Sequence, residues 1–274
     1  MDGAIRTAHE KLDTLKAALA ATGGIAVAFS GGVDSTFLLA AAREALGDRV
    51  LALTARAPFI APRESAEALD FCAERGIRQL FVDEDMAAIP HFAENPPDRC
   101  YHCKKALFTA LGAMAAAEGI TALAEGSNVD DQGDYRPGLR ALAELGVLSP
   151  LKAAGLTKAE IRLLSREMGL ATWDKPSFAC LASRFPYGET ITLEKLRMVD
   201  AAEQLLLDRG FPQMRVRLHG TLARIEVLPQ DIGRLATEPM RSEVAAALKE
   251  MGFSYVTLDL AGFRSGSMNE VLGK

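Results

Sequence analysis

Three stretches of this sequence carry residue types whose spacing could do chemistry. In KPSFACLASRFPYG, Lys175 to Gly188, a lone thiol at Cys180 stands between two prolines, with Lys175 on one side and Arg184 on the other. A thiol in an irregular, cationic segment reads either as a small apolar filler or as a nucleophile whose thiolate is favoured by nearby cations. The CYHC stretch sets Cys100 and Cys103 just before a predicted helix, as a redox pair, half a zinc site or part of an iron–sulfur site. SGGVDST (30–36) supplies two glycines, an aspartate and three hydroxyls, at Ser30, Ser35 and Thr36. Cys72, at helical spacing from Leu69, reads as core.

These groups need a scaffold. GIAVAF (24–29), RVLALTA (49–55), IRQLFVD (77–83) and TALAEGSN (121–128) are short apolar runs separated by helical segments, and VLSPL (147–151) reads as a fifth strand. That alternation predicts an α/β fold with a doubly wound parallel sheet. Thr157 and Glu160 predict a capping box before the next helix. After Gly188 a long helix, two alternating strands meeting at His219-Gly220, two short helices and SYVTLDL suggest a smaller α+β module. The expected domains are 1–187 and 188–274. SGGVDST falls where the first strand ends and a helix begins, so backbone N–H groups and the helix dipole there suit an oxyanion. It lacks the G-x-x-x-x-G-K-[ST] pattern of ordinary phosphate-transferring loops.

The loop SGGVDS resembles the signature of the PP-loop ATP pyrophosphatases, which adenylate a substrate and release pyrophosphate. That likeness implies that Ser30, Gly31, Gly32, Asp34 and Ser35 bind pyrophosphate or its Mg²⁺, and that Thr54 contacts adenosine. It also implies a second nucleotide-side loop in EGSNVDDQGDYRPG (125–138), with Gly126 and Ser127 close to ATP. Asp130, Asp131 and Asp134 could hold metal there or form a solvated acidic loop. Combined with CLASR, PYG, MRVRLHGTLARIEV and DLAGFRSGSMN, the pattern is similar nearly end to end to the LarE-type ATP-dependent sulfur transferases. Their resemblance implies a thiocarboxylate made on a pyridinium mononucleotide for the nickel-pincer cofactor. One type sacrifices the sulfur of a single cysteine, at the Cys180 position. Another has three cysteines and is thought to relay sulfide from a [4Fe-4S] cluster, which here would rest on Cys100, Cys103 and Cys180. This chain has all three, and the CxxC favours the cluster.

Lys175 and Arg184 would favour the thiolate and an anionic adenylate, and Lys104 could neutralise pyrophosphate, whereas Lys105 reads as a surface charge. Arg215 and Arg217, two apart on one strand with His219 beyond them, could grip a substrate phosphate or form a solvent face or subunit contact. Glu203 could join them or bind metal. The segment bearing Arg264 could cover the active site or an interface. A net charge of −5 argues against the broad basic footprint that a tRNA thiolase needs. An amide-forming synthetase would leave the cysteines idle, and a non-catalytic nucleotide or metal binder would release no pyrophosphate. Four cysteines in 274 residues, with no apolar run of membrane-spanning length, fit a reducing cytoplasm. The expected partner is a small-molecule nucleotide, with ATP and Mg²⁺ as cofactors, and the small C-terminal module and the resemblance favour a homo-oligomer.

Overall fold

The computed structural model describes residues 2–131, 137–176, 179–264 and 266–268, so Asp134 lies outside the described residues. The chain divides into two compact units, one of residues 1–90 and 100–178, the other of 91–99 and 179–274.

The first unit alternates as its apolar runs predict: α1 (Asp2–Ala21), β1 (Ile25–Ala28), α2 (Val33–Leu46), β2 (Val50–Arg56), α3 (Pro62–Glu74), β3 (Arg78–Asp83), α4 (Arg99–Ala117) and β4 (Leu123–Ala124). Its four strands are all parallel in the order β3-β2-β1-β4. Successive strand residues point to opposite faces. Ile25, Val27, Val50 and Ala52 therefore pack with α1, α2 and α3, while Ala26, Leu51 and Leu53 pack with Leu111 and Ala115 of α4. This is the doubly wound α/β arrangement.

Three elements complete this unit: α5 (Pro137–Glu144), α6 (Pro150–Ala153) and α7 (Lys158–Glu167). The expected fifth strand shrinks to one parallel bridge, Ala124 to Leu148. Pro150 ends it, because proline lacks an N–H for a ladder and suits the first turn of α6. The capping box forms as predicted: Glu160 N–H donates to Thr157 Oγ1 at 3.3 Å and Thr157 N–H to Glu160 Oε2 at 2.8 Å. One expectation needs correction. Cys100 and Cys103 do not precede the helix but lie in the first turn of α4, which begins at Arg99. Their spacing of three puts them on one side of that turn.

In the second unit α8 (Leu193–Asp208) leads into the antiparallel pair β5 (Met214–His219) and β6 (Leu222–Val227). The pair turns through Gly220, whose φ of 61° favours glycine. Then come α9 (Ile232–Ala236), α10 (Met240–Glu250) and β7 (Tyr255–Leu258), parallel to β6. With the order β5-β6-β7, β5 is an edge strand. Among the described residues no helix is long and apolar enough to cross a membrane.

Candidate active site

In the first unit, the candidate residues gather at the end of β1. Gly31 has a φ of 69°, and a Cβ there would meet Glu64 O at 3.4 Å and Ala68 Cβ at 3.6 Å, so glycine serves both conformation and space. Gly32 caps α2 without a side chain, leaving the first-turn N–H groups to the loop's own hydroxyls or to a ligand. Ser35 Oγ accepts from Ser30 N–H at 3.3 Å, lies 3.1 Å from Ser30 Oγ and donates to Gly32 O at 3.2 Å. Thr36 Oγ1, in the same turn, is buried and has no hydrogen-bond partner among the described residues.

Asp34 is engaged by protein cations and amides. Lys158 Nζ donates to its Oδ2 at 2.5 Å and Asn128 Nδ2 to its Oδ1 at 3.4 Å. Lys158 and Asn128 were not singled out from the sequence. The signal for Lys158 was present, because a capping box at Thr157 makes it the first helical residue of α7, where its side chain can reach another loop. Lys175 comes to the same loop from the other direction: its Nζ donates to Gly31 O at 2.9 Å and pairs with Glu67.

The loop that opens at Glu125 packs directly on this turn. A Cβ on Gly126 would lie 3.0 Å from Ser35 N and 3.2 Å from Asp34 Cβ, so the backbones meet at the van der Waals limit. Glu125, buried, braces the loop by accepting from Ser127 N–H at 3.0 Å, Ser127 Oγ at 2.7 Å and Ser149 Oγ at 2.6 Å. Asp131 Oδ2 accepts from Asn128 N–H at 2.9 Å, and Asp130 Oδ2 from Lys158 N–H at 2.7 Å. These two carboxylates thus shape the loop rather than simply facing solvent.

The Thr54 hydroxyl donates to Phe29 O at 2.9 Å and accepts from Gln79 Nε2 at 2.7 Å. It ties β2 and β3 to the entry of the phosphate loop. Lys104 lays its stem beside Gly138 and holds its ammonium 6.0 Å from the Phe108 ring. Lys105 is exposed and bonds Tyr101 and Glu144, a surface role.

In the second unit, buried guanidiniums support the turn that carries Cys180. Cys180 is half-buried and caps the four-residue 3-10 turn Leu181–Arg184. Arg184, 1% exposed, donates from Nη1 to Ala179 O at 2.8 Å and Cys180 O at 3.2 Å. Its other face forms a two-pronged pair with Glu203, both contacts at 2.8 Å. Glu203 Oε1 also accepts the outward Val216 N–H of edge strand β5 at 3.0 Å, so one buried carboxylate joins α8, β5 and the cysteine turn. Burial pushes the Glu203 carboxyl up, but the Arg184 charge and hydrogen bonds outweigh it and hold the group below its usual range.

Arg215 and Arg217 share a strand face as the alternation predicts, and they part in role. Arg217 pairs with Glu226 through Nε at 3.1 Å and Nη2 at 3.0 Å, and its Nη1 donates to Ser183 O at 2.7 Å. Its Nη2 also reaches Ser267 Oγ at 2.9 Å, which brings the C-terminal segment over this pair. Arg215 stacks 5.0 Å from the Phe263 ring and donates to Met214 O at 2.6 Å. Burial and the neighbouring Arg184 charge pull Arg215 down to about 10, which leaves it cationic at neutral pH. Arg264 donates to Gly262 O at 3.1 Å, and His219 ends β5.

Cys72 is buried in the α-helical layer, and desolvation pushes its thiol up to about 12. Among the described residues no three His, Cys, Asp or Glu side chains gather as metal ligands.

Compared with models of known families, the chain matches none. It is 41% identical over 266 residues to an uncharacterized protein of Synechocystis sp., covering 97% of this chain and 99% of that protein. It is 28% identical over 241 residues to an uncharacterized protein of Methanocaldococcus jannaschii, covering 88% and 91%. It is also 40% identical over 269 residues to the pyridinium-3,5-bisthiocarboxylic acid mononucleotide synthase of Lactiplantibacillus plantarum, covering 98% of this chain and 97% of that one. Identity at that level over nearly the whole length of both chains makes this chain a member of the LarE-type family to which that synthase belongs.

Proposed function

We propose that the protein is an ATP-dependent sulfur transferase that converts a carboxylate of a pyridinium mononucleotide to a thiocarboxylate, in nickel-pincer cofactor synthesis. The observation that carries this reading is the presence in one chain of an anion-suited β1–α2 loop and a thiol whose turn is held by buried guanidiniums. The L. plantarum relative's name supports the same substrate class.

In this reading the substrate carboxylate oxygen attacks the α phosphorus of ATP, and pyrophosphate leaves on the Ser30–Ser35 loop. The Gly31, Gly32 and Ser35 backbone with the Ser30 and Ser35 hydroxyls holds that anion, with Lys175 and Lys158 as neighbouring cations. Gly126 and Ser127 border the nucleotide, and Thr54 fixes the loop entry. Asp34 would hold Mg²⁺ with phosphate oxygens, exchanging its bond to Lys158; a site of one or two carboxylates plus phosphates needs no protein cage. A sulfur nucleophile then forms the acyl C–S bond, and AMP leaves with the former carboxylate oxygen. Where that sulfur is Cys180 Sγ, loss of the Cys180 Cα proton breaks its Cβ–Sγ bond, so the thiocarboxylate departs with the sulfur and dehydroalanine remains. Cys180 is the sulfur-bearing residue, Arg184 holds its turn, and Arg215 and Arg217, two apart on one face of β5, are the cations for the substrate phosphate.

An iron–sulfur cluster on Cys100, Cys103 and Cys180 would supply a labile sulfide. The steps above use no cluster. The protein acts, on this proposal, in the cytoplasm, as a homo-oligomer, on a small molecule and not on nucleic acid.

The test is to purify the protein without oxygen, measure iron, and add ATP, Mg²⁺ and the biscarboxylate pyridinium mononucleotide. Thiocarboxylate with pyrophosphate supports the reading. Unchanged protein mass then assigns the sulfur to a relayed sulfide, and loss of one sulfur assigns it to Cys180. Thiolated tRNA without thiocarboxylate overturns it.

A further inference from the structure

Arg99, the first residue of α4, is 1% exposed and among the largest fully buried side chains of the protein. A guanidinium is kept from water only where its donors are met. Its Nη1 donates to Ala182 O at 2.9 Å and to Asn95 Oδ1, and its carbon centre lies 5.9 Å from the Phe92 ring.

Asn95, fully buried, continues the same contact. Its Nδ2 donates to Pro186 O at 2.7 Å and Phe185 O at 3.3 Å. Its carbonyl accepts from Gly188 N–H at 2.8 Å, and Ala93 O accepts from Ile191 N–H at 2.9 Å. Asn95 has a φ of 54°, a left-handed conformation that asparagine tolerates better than most residues. The short stretch 93–99 therefore meets the chain at 182, 185, 186, 188 and 191.

Together with Arg184 on the carbonyls of 179 and 180 and Arg217 on that of 183, Arg99 makes a third guanidinium on this turn. Four of the five carbonyls from Ala179 to Ser183 thus accept from arginine side chains. A single 3-10 turn has poor hydrogen-bond geometry of its own and does not hold a fixed shape without outside support.

We propose that Arg99, oriented by Asn95, is a positioning residue for Cys180, setting where the thiol stands for the sulfur-transfer step. It acts through the Ala182 carbonyl, which its Nη1 meets at 2.9 Å. The inference rests on the proposed function for what the thiol does, but not for how it is held. Misplacing a reacting atom by about 1 Å costs about 100-fold in rate. Loss of Arg99 should therefore slow sulfur transfer while sparing adenylation, whose loop lies at the start of α2.

The test compares the full-length wild type with Arg99→Gln, Arg99→Lys and Asn95→Gly, the last keeping a residue at ease with positive φ. Three readouts are taken: substrate-dependent ATP–pyrophosphate exchange, kcat and KM for thiocarboxylate, and the iodoacetamide alkylation rate of Cys180 by mass spectrometry. Arg99→Gln is expected to lower kcat about 10- to 100-fold with KM and exchange within about 2-fold. Cys180 alkylation rises at least about 3-fold as the turn loosens. Arg99→Lys recovers part of the rate, and Asn95→Gly shows the same pattern at smaller size. Should Arg99→Gln fail to fold, Asn95→Gly and Arg99→Lys carry the comparison. Exchange and sulfur transfer falling in parallel would mean a merely structural role and overturn the proposal, as would Cys180 alkylation unchanged in every variant. If the wild type makes no thiocarboxylate, the proposed function fails, and alkylation alone still decides whether Arg99 positions the thiol.

Discussion

The β1–α2 loop and the cysteine turn solve the same problem, holding an irregular segment still, by opposite means. The loop at the end of β1 is held by backbone: a parallel sheet on one side, a helix start on the other, glycines where a Cβ would not fit, and Gly126 pressed against Ser35. The turn at Cys180 has no strand or long helix of its own and is held by side chains, with Arg99, Arg184 and Arg217 reaching its carbonyls. Backbone support leaves hydroxyls and N–H groups over for a ligand. Guanidinium support instead commits donors of Arg99, Arg184 and Arg217 to the turn's own carbonyls.

That contrast can be broken from either side. The largest effect expected is on the thiol itself: Cys180→Ala should abolish thiocarboxylate formation, a loss of at least about 1000-fold, while substrate-dependent ATP–pyrophosphate exchange persists. Exchange lost together with sulfur transfer would remove the separation of roles.

Next comes the support of the cysteine turn. Glu203→Gln leaves Arg184 buried opposite a neutral amide, and breaking such a pair costs about 3–5 kcal/mol, read as a lower denaturant midpoint. The sign with pH follows from the depressed carboxyl of Glu203. Its stabilisation is present above the ordinary carboxylate range and is lost as pH falls through the lower folded value. The wild type should therefore lose more stability on acidification than Glu203→Gln does. Equal acid sensitivity would show that the pair does not support the fold.

A smaller effect is expected at the loop. Gly126→Ala places a methyl 3.0 Å from Ser35 N and must shift one backbone by a few tenths of an ångström. Adenylation should fall about 3- to 10-fold with little change in Cys180 alkylation. The smallest response is that of Cys72, pushed up to about 12 by burial, which should resist alkylation in the folded protein while Cys180 reacts.

Much of the first unit was legible in the sequence, because its signals are local. Apolar runs of four to seven residues mark buried strands, GG after a strand marks a loop, and T-x-x-E marks a helix start. Errors came where local signals compete. Pro150 truncated the fifth strand, and α4 began four residues before the apolar stretch that announced it, taking Cys100 and Cys103 into its first turn. In the second unit, alternation along β5 set Arg215 and Arg217 on one face correctly. It could not say that Glu226 would take the fork of one of them, because the partner lies across a hairpin and is chosen by register.

The sequence by itself determined the class of fold, the place of the glycine loop at the end of β1 and the capping box that opens α7, since each depends on residues within a few positions of one another. Only the tertiary structure decided what the charges do. Lys158 meets Asp34 from 124 residues away, Glu203 joins Arg184 to an edge-strand amide, and Arg99 holds a carbonyl 83 residues on. A buried charge is stable only beside its partner, and chain folding, not spacing, selects that partner.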